Sequence, residues 1–238
     1  TQGNEKAELA GEGEPVEYAV KMRQFPQSAL LSEQFAQGLL DEDKARSLAT
    51  TIANFHKATQ TNDHVRTYGT VSAIRRAIDE NYEQTTGYTG ESVTVTTPQT
   101  QLQFDETKAY TDHVDLLLGN ICEWEGKIQL FDFIEFNEEF RFVDTMFDIA
   151  YVVMDLEVAG KHDLAQIFLN QYVEETGDYE GLEILPLYVS RQSYVRAKVT
   201  SFMLGDPSVD EATKKAASEK AAKYYRLAWS YMQKKKEL

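Results

Sequence analysis

Cysteine is almost absent: the 238 residues contain one, Cys122. A single thiol excludes an internal disulfide framework and fits a reducing compartment, so the cytoplasm is the expected location. Long apolar runs are also missing. No stretch approaches the roughly 20 residues of a membrane-crossing helix, and no signal peptide is legible, so no membrane partner is expected. Basic residues are scarce, with 24 Lys and Arg against 39 Asp and Glu, for a net charge of -15. That balance argues against general nucleic-acid binding through phosphate neutralisation and suits a metal-loaded or cationic ligand. What is present is ordinary: 42% hydrophobic and 26% charged residues, enough for one large or two small globular domains with a sizeable core. The chain starts at Thr1 without Met, so it reads as a fragment or a processed product.

Taken in order, residues 15–22 have strand composition, and the Gly11-Glu12-Gly13-Glu14 cluster before them reads as a turn, making residues 6–10 the expected partner strand. Pro26 ends the extended segment. Residues 27–60 turn helical: Leu30, Leu31 and Phe35 share a face, Gly38 interrupts, and Asp41 is the expected N-cap of a helix carrying Ala45, Leu48, Ile52 and Phe55. His56, near the end of that helix, is better read as a hydrogen-bonded structural histidine than as a ligand. A third helix is expected over 70–83, and residues 87–100, rich in Thr and Gly, form a long loop or edge strand. Residues 141–156 are apolar almost all round, which predicts a buried helix. Residues 161–176 make another, with Gly177 at its C-cap, and 182–204 a further one with Pro186 in its first turn. The last helix starts near Val209, and its lysines form mostly a solvated face. No internal repeat is legible.

The stretch 113–133 carries the chemistry. It runs from His113 and Asp115 to Gly119-Asn120, then through an apolar strand, a turn at Glu125-Gly126 and a second strand ending at Asp132. An Asp followed five residues later by an Asn, and then by a strand ending in Asp, is the order in which kinase-like enzymes lay out a base and two metal ligands. Phosphoryl transfer requires an oxygen base beside the attacking hydroxyl and hard oxygen ligands for the magnesium that bridges the phosphates.

These residues carry a resemblance. Gly119-Asn120-Ile121, Leu130-Phe131-Asp132, Ile134-Glu135-Phe136-Asn137-Glu138 and Phe140-Arg141-Phe142-Val143-Asp144 resemble the bacterial aminoglycoside-phosphotransferase-like family, whose members have the protein-kinase-like fold. Residues 13–26 resemble that family at the last small-lobe strand and the hinge. The resemblance implies an α+β fold: a mostly helical kinase-like large lobe with a central β-hairpin and a remnant of the small-lobe sheet at the N-terminus. Residues 1–25 would end the small lobe and form the hinge, and 26–238 would be the large lobe, with its catalytic-loop region at 113–133. It also implies transfer of the ATP γ-phosphate to a hydroxyl of a small molecule. By analogy Asn120 and Asp132 would be the magnesium ligands, Asp115 the catalytic base, and Lys21 and Met22 the cofactor-binding residues. Read alone, Lys21 is either a phosphate-binding lysine or a strand-end surface lysine.

Departures accompany the likeness. With Lys21 at the hinge, the phosphate loop and the ATP-positioning lysine of the small lobe would precede Thr1, so weak ATP affinity is expected. Val114 stands where the family usually has Gly, and Leu117 where it usually has a second His. Only residues 104–112 occupy the place of the long helix that leads into the loop. Two alignments account for this. In one, His113 and Asp115 are the catalytic-loop pair; in the other, Tyr110, Val114 and Leu117 form a helix stripe, with helix to about Leu117 and Asp115 on its surface. Three functions remain open: a phosphotransferase acting on a small, cationic hydroxyl compound near Asp132, Glu135, Glu138, Glu139, Asp144 and Asp148; a catalytically inactive relative that binds nucleotide or a protein partner; and a purely structural large-lobe fragment.

Overall fold

The computed structural model describes residues 2–3, 6–7, 23–84, 109–110, 116–134 and 136–234. Within them the chain is mostly helical, with three short antiparallel strand pairs, an α+β architecture. β1 (Gln2–Gly3) pairs with β2 (Lys6–Ala7). The sequence pairs residues 6–10 with 15–22 instead; Lys6 and Ala7 take the nearer partner, and 15–22 lie outside the described residues.

Side-chain caps start several of the helices among the described residues. α1 (Leu31–Ala36) is short and is followed by Gly38, whose φ of +72° takes the chain out of the helix. The Asp41 carboxylate accepts the Lys44 N–H at 2.9 Å and starts α2 (Glu42–Ala58), as the sequence predicts. Asn62 does the same for α3 (Asp63–Arg66) through the Val65 N–H at 3.0 Å, and α4 (Val71–Glu83) follows.

The helix expected over 141–156 is broken. Asn137 accepts from the Glu139 and Phe140 N–H groups and caps α5 (Glu138–Arg141). The chain then extends, and β3 (Ala109–Tyr110) pairs with β6 (Val143–Asp144). The Asp144 carboxylate accepts the Met146 N–H at 2.8 Å and caps a new helix, α6 (Thr145–Val158). Two capping side chains seven residues apart produce the break, because each satisfies N–H groups that a continuous helix would have bonded internally.

α6 is the centre of the core, with Met146, Ile149, Val152 and Leu156 fully buried. α7 (His162–Thr176) and α8 (Leu185–Phe202) pack on it, α2 packs on α7, and α9 (Glu211–Lys234) packs along α8. Gly177 has a φ of +73°, and its N–H returns to the Val173 carbonyl, the C-cap read from the sequence. Pro186 lies in the first turn of α8, where its missing N–H costs nothing.

Candidate functional site

β4 (Ile121–Trp124) and β5 (Lys127–Leu130) form a hairpin in which Ile121 faces Leu130 and Trp124 faces Lys127. Its two-residue loop has positive φ at both positions, +52° at Glu125 and +72° at Gly126, the combination that matches the twist of paired strands. At the open end the Phe131 N–H donates to the Asn120 carbonyl at 3.1 Å. Asn120 and Asp132 therefore flank the last hydrogen bond of the ladder. Asp132 has a φ of +64°, one of two non-glycine residues in the left-handed region among the described residues. The neighbours of Asp132 are held by aromatic contacts. Phe131 meets Phe25 with ring centroids 5.4 Å apart, and Phe133 meets Phe55 of α2 at 5.5 Å. Asn120 is half-buried and Asp132 exposed.

Three anchors fix the hairpin to the helices. The Leu118 N–H donates to Asp155 of α6 at 3.4 Å, and the Tyr224 hydroxyl of α9 donates to the same carboxylate at 3.3 Å. Burial outweighs these bonds and holds the Asp155 carboxyl above the usual carboxylate range. Glu123 on β4 pairs with Lys44 of α2 at 2.9 Å, and the hydrogen bond from that lysine holds Glu123 below the usual range. Leu30 forms an antiparallel bridge with Cys122. Cys122 is a free thiol, buried, and burial pushes it up, which keeps it protonated and inert.

Asp115, Lys21 and Met22 lie outside the described residues. Leu117 is extended, with φ -63° and ψ 142°, and Leu118–Asn120 form a single 3-10 turn, so a helix reaching to 117 is not what forms. The acids expected around Asp132 are dispersed rather than gathered on one face. Asp144 caps α6 and Asp148 points inward. Glu138 accepts the Tyr68 hydroxyl at 2.8 Å and lies 3.4 Å from His64; the tyrosine bond, then the charge on His64, hold it below the usual range. Glu139 pairs with Arg76 at 2.9 Å, and Glu135 lies outside the described residues. Among the described residues no cluster of three or more His, Cys, Asp or Glu side chains could hold a metal ion. A metal here would rest on the amide–carboxylate pair Asn120 and Asp132, whose hard oxygens suit magnesium that keeps several of its waters.

Sequence reasoning missed a buried polar network beneath the hairpin. His56 of α2 is hydrogen-bonded through Nδ1 to the Tyr172 hydroxyl of α7 at 2.7 Å, and through Nε2 to Asp148 Oδ2 of α6 at 3.2 Å. A carboxylate accepts, so Nε2 carries a proton, and in the neutral ring the Tyr172 hydroxyl donates to Nδ1. His56 is thus the hydrogen-bonded structural histidine read from the sequence. The signal for its partner was a carboxylate, Asp148, in the first turns of a mostly apolar helix.

Hairpin, anchors and helical core define a mostly helical α+β domain with one exposed polar hairpin end. The chain is 29% identical over 215 residues to proteins described as uncharacterized from Mycobacterium bovis and from Mycobacterium tuberculosis. The alignment covers 83% of this chain and 43% of each relative, so the chain spans less than half the length of the curated relatives it matches. No family model and no solved structure matches the chain. No helix among the described residues is long and apolar enough to cross a membrane.

Proposed function

We propose that this chain is the large-lobe part of a phosphotransferase with a protein-kinase-like fold, similar to the aminoglycoside-phosphotransferase-like family. In this reading it transfers the ATP γ-phosphate to a hydroxyl of a small molecule in the cytoplasm. The observation that carries the reading is the open end of the hairpin. It holds an amide and a carboxylate on either side of the last ladder bond, with the carboxylate residue in a left-handed conformation between two anchored aromatic residues. Left-handed non-glycine backbone persists where surrounding structure over-determines it, and such positions cluster at functional sites.

Asn120 and Asp132 would hold magnesium, which when bound neutralises charge on the transferring phosphates. The chain's own residues supply position. Asp155 and the Lys44–Glu123 pair hold the β4 side of the hairpin against the helices, and the contact of Phe133 with Phe55 of α2 holds the segment that follows β5. Asp115 would take the acceptor proton, and Lys21 and Met22 would contact the nucleotide.

Magnesium-dependent binding of ATP, measured by titration calorimetry, tests the assignment. Asp132→Ala and Asn120→Ala are each expected to abolish the magnesium dependence while leaving the thermal transition near that of the wild type. Nucleotide binding with unchanged magnesium dependence in both variants refutes it. A second reading, a catalytically inactive nucleotide- or protein-binding relative, is favoured by Leu117. That position usually holds a His in the family, and here it packs on the apolar core. Binding of magnesium and ATP without any turnover over a panel of hydroxyl acceptors would select it.

A further inference from the structure

The Asp132 carboxylate is placed by its backbone. Asp132 is exposed, and among the described residues its side chain has no hydrogen-bond or ion-pair partner. The direction of the carboxylate therefore follows from that of the Cα–Cβ bond, which the φ of +64° helps to set. Side chains alternate between faces along a strand, so a left-handed residue here sends its carboxylate elsewhere than a continuation of β5 would. The conformation is uncommon for a residue with a Cβ and persists where neighbouring structure enforces it.

The two neighbours of Asp132 are held unequally. Phe131 is fixed twice, by its N–H bond to the Asn120 carbonyl at 3.1 Å and by its ring against Phe25 at 5.4 Å. Phe25 itself lies next to Pro26, outside any helix. Phe133 lies beyond that last bond of the hairpin ladder and is exposed. Its ring meets Phe55 at 5.5 Å, with the planes inclined by 58°, a tilted pairing of the kind aromatic rings prefer to a face-to-face stack.

Phe55 is the rigid partner of that pair. It sits in the last turn of α2, half-buried against the helical core. The next residue, His56, is buried and hydrogen-bonded to Tyr172 of α7 at 2.7 Å and to Asp148 of α6 at 3.2 Å. Two other helices thus pin the turn of α2 that carries Phe55.

We propose that Phe55 is a positioning residue for Asp132: through Phe133 it keeps the Asp132 backbone left-handed and so fixes the direction of the carboxylate. An aromatic pair contributes about as much as the left-handed conformation costs a residue with a Cβ, so removing the ring lets Asp132 populate extended backbone in comparable amount. The consequence for metal rests on the reading of Asp132 as a magnesium ligand; the effect on the backbone does not.

The test uses the 238-residue chain and two readouts. The first is the Cα and Cβ chemical shifts of Asp132 in isotopically labelled chain without metal or nucleotide, which separate left-handed from extended backbone. The second is magnesium-dependent ATP binding by calorimetry. Phe55→Leu keeps an apolar side chain and removes the ring. It is expected to move the Asp132 shifts toward extended values and to weaken magnesium-dependent ATP binding by roughly two- to tenfold, the equivalent of one aromatic pair. Phe55→Tyr keeps the ring and should match the wild type in both readouts. Phe25→Leu should move the shifts less, since the ladder bond still holds Phe131. Leu187→Ala, at a half-buried core position on α8, should lower the thermal midpoint and leave both readouts in place, which separates positioning from loss of stability. Asp132 shifts that stay unchanged in Phe55→Leu overturn the proposal, whatever happens to ATP binding. So does a larger displacement in Phe25→Leu than in Phe55→Leu. Should Phe55→Leu not fold, Phe133→Leu removes the same ring pair from its exposed side, and the same shifts decide. Failure of the magnesium reading looks different: Asp132→Ala then keeps its magnesium dependence while the shifts in Phe55→Leu still move.

Discussion

Removing the hydroxyl of Tyr172 tests the buried network beneath the hairpin. Tyr172 is 1% exposed and His56 3%, and their bond is 2.7 Å long, so Tyr172→Phe takes a donor from the imidazole where water cannot replace it. The ring stays, its stacking on Phe168 stays, and the lost volume is one oxygen. The expected cost is therefore that of stranding a buried acceptor, about 1–3 kcal/mol, with little cavity cost added. At about 2–4 °C per kcal/mol for a chain of this size, the midpoint should fall by roughly 2–12 °C. Tyr179→Phe is the control: Tyr179 is 58% exposed, and the change should stay within about 0.5 kcal/mol. Urea denaturation at neutral pH, with the slope compared between variants, measures both. Asp148→Asn should combine non-additively with Tyr172→Phe, because both act on one imidazole. A Tyr172→Phe chain as stable as the Tyr179→Phe control would show that the hydroxyl–imidazole bond contributes nothing, and the network argument would fall.

Three further outcomes follow from the geometry. Glu123 is held below the usual range in the folded chain, so its contribution is present above about pH 4.3 and is lost as pH falls through the lower folded value. Lys44→Gln should therefore cost stability at neutral pH and progressively less in acid. The difference should be under about 1 kcal/mol, because both side chains are about a third exposed; a gap that widens as pH falls would contradict the sign. A Cβ at Gly181 would lie 2.7 Å from Cγ of the fully buried Met146, so Gly181→Ala should destabilise by about 1–3 kcal/mol, and an unchanged thermal midpoint would refute it. Glu125 holds a φ of +52° in the hairpin loop, so Glu125→Asn should stabilise by about 0.5 kcal/mol in urea titration, since asparagine tolerates that conformation better and the Arg23 pair it loses is exposed.

Helix periods and caps were legible in the chain because they depend on neighbours within one or two turns. Asp41, Gly177, Pro186 and the turn at Glu125-Gly126 act through local backbone, and each stands where its residue type predicts. The break before α6 was written locally too, in Asn137 and Asp144, but the apolar run over 141–156 masks it in a reading by periodicity. Candidate ligands Asn120 and Asp132 were found by their order along the chain, and the hairpin register shows they flank one ladder bond. What needed the tertiary structure was the fate of each charge. Asp148, Glu138 and Glu139 look alike in sequence, yet one is turned into the core on His56 and the others pair at the surface. Likewise, nothing local distinguishes Lys198 from the solvated lysines of α9; its burial follows from α4 and α8 closing over it. A charge's environment is set by contacts up to a hundred and more residues away, which no periodicity within one helix encodes.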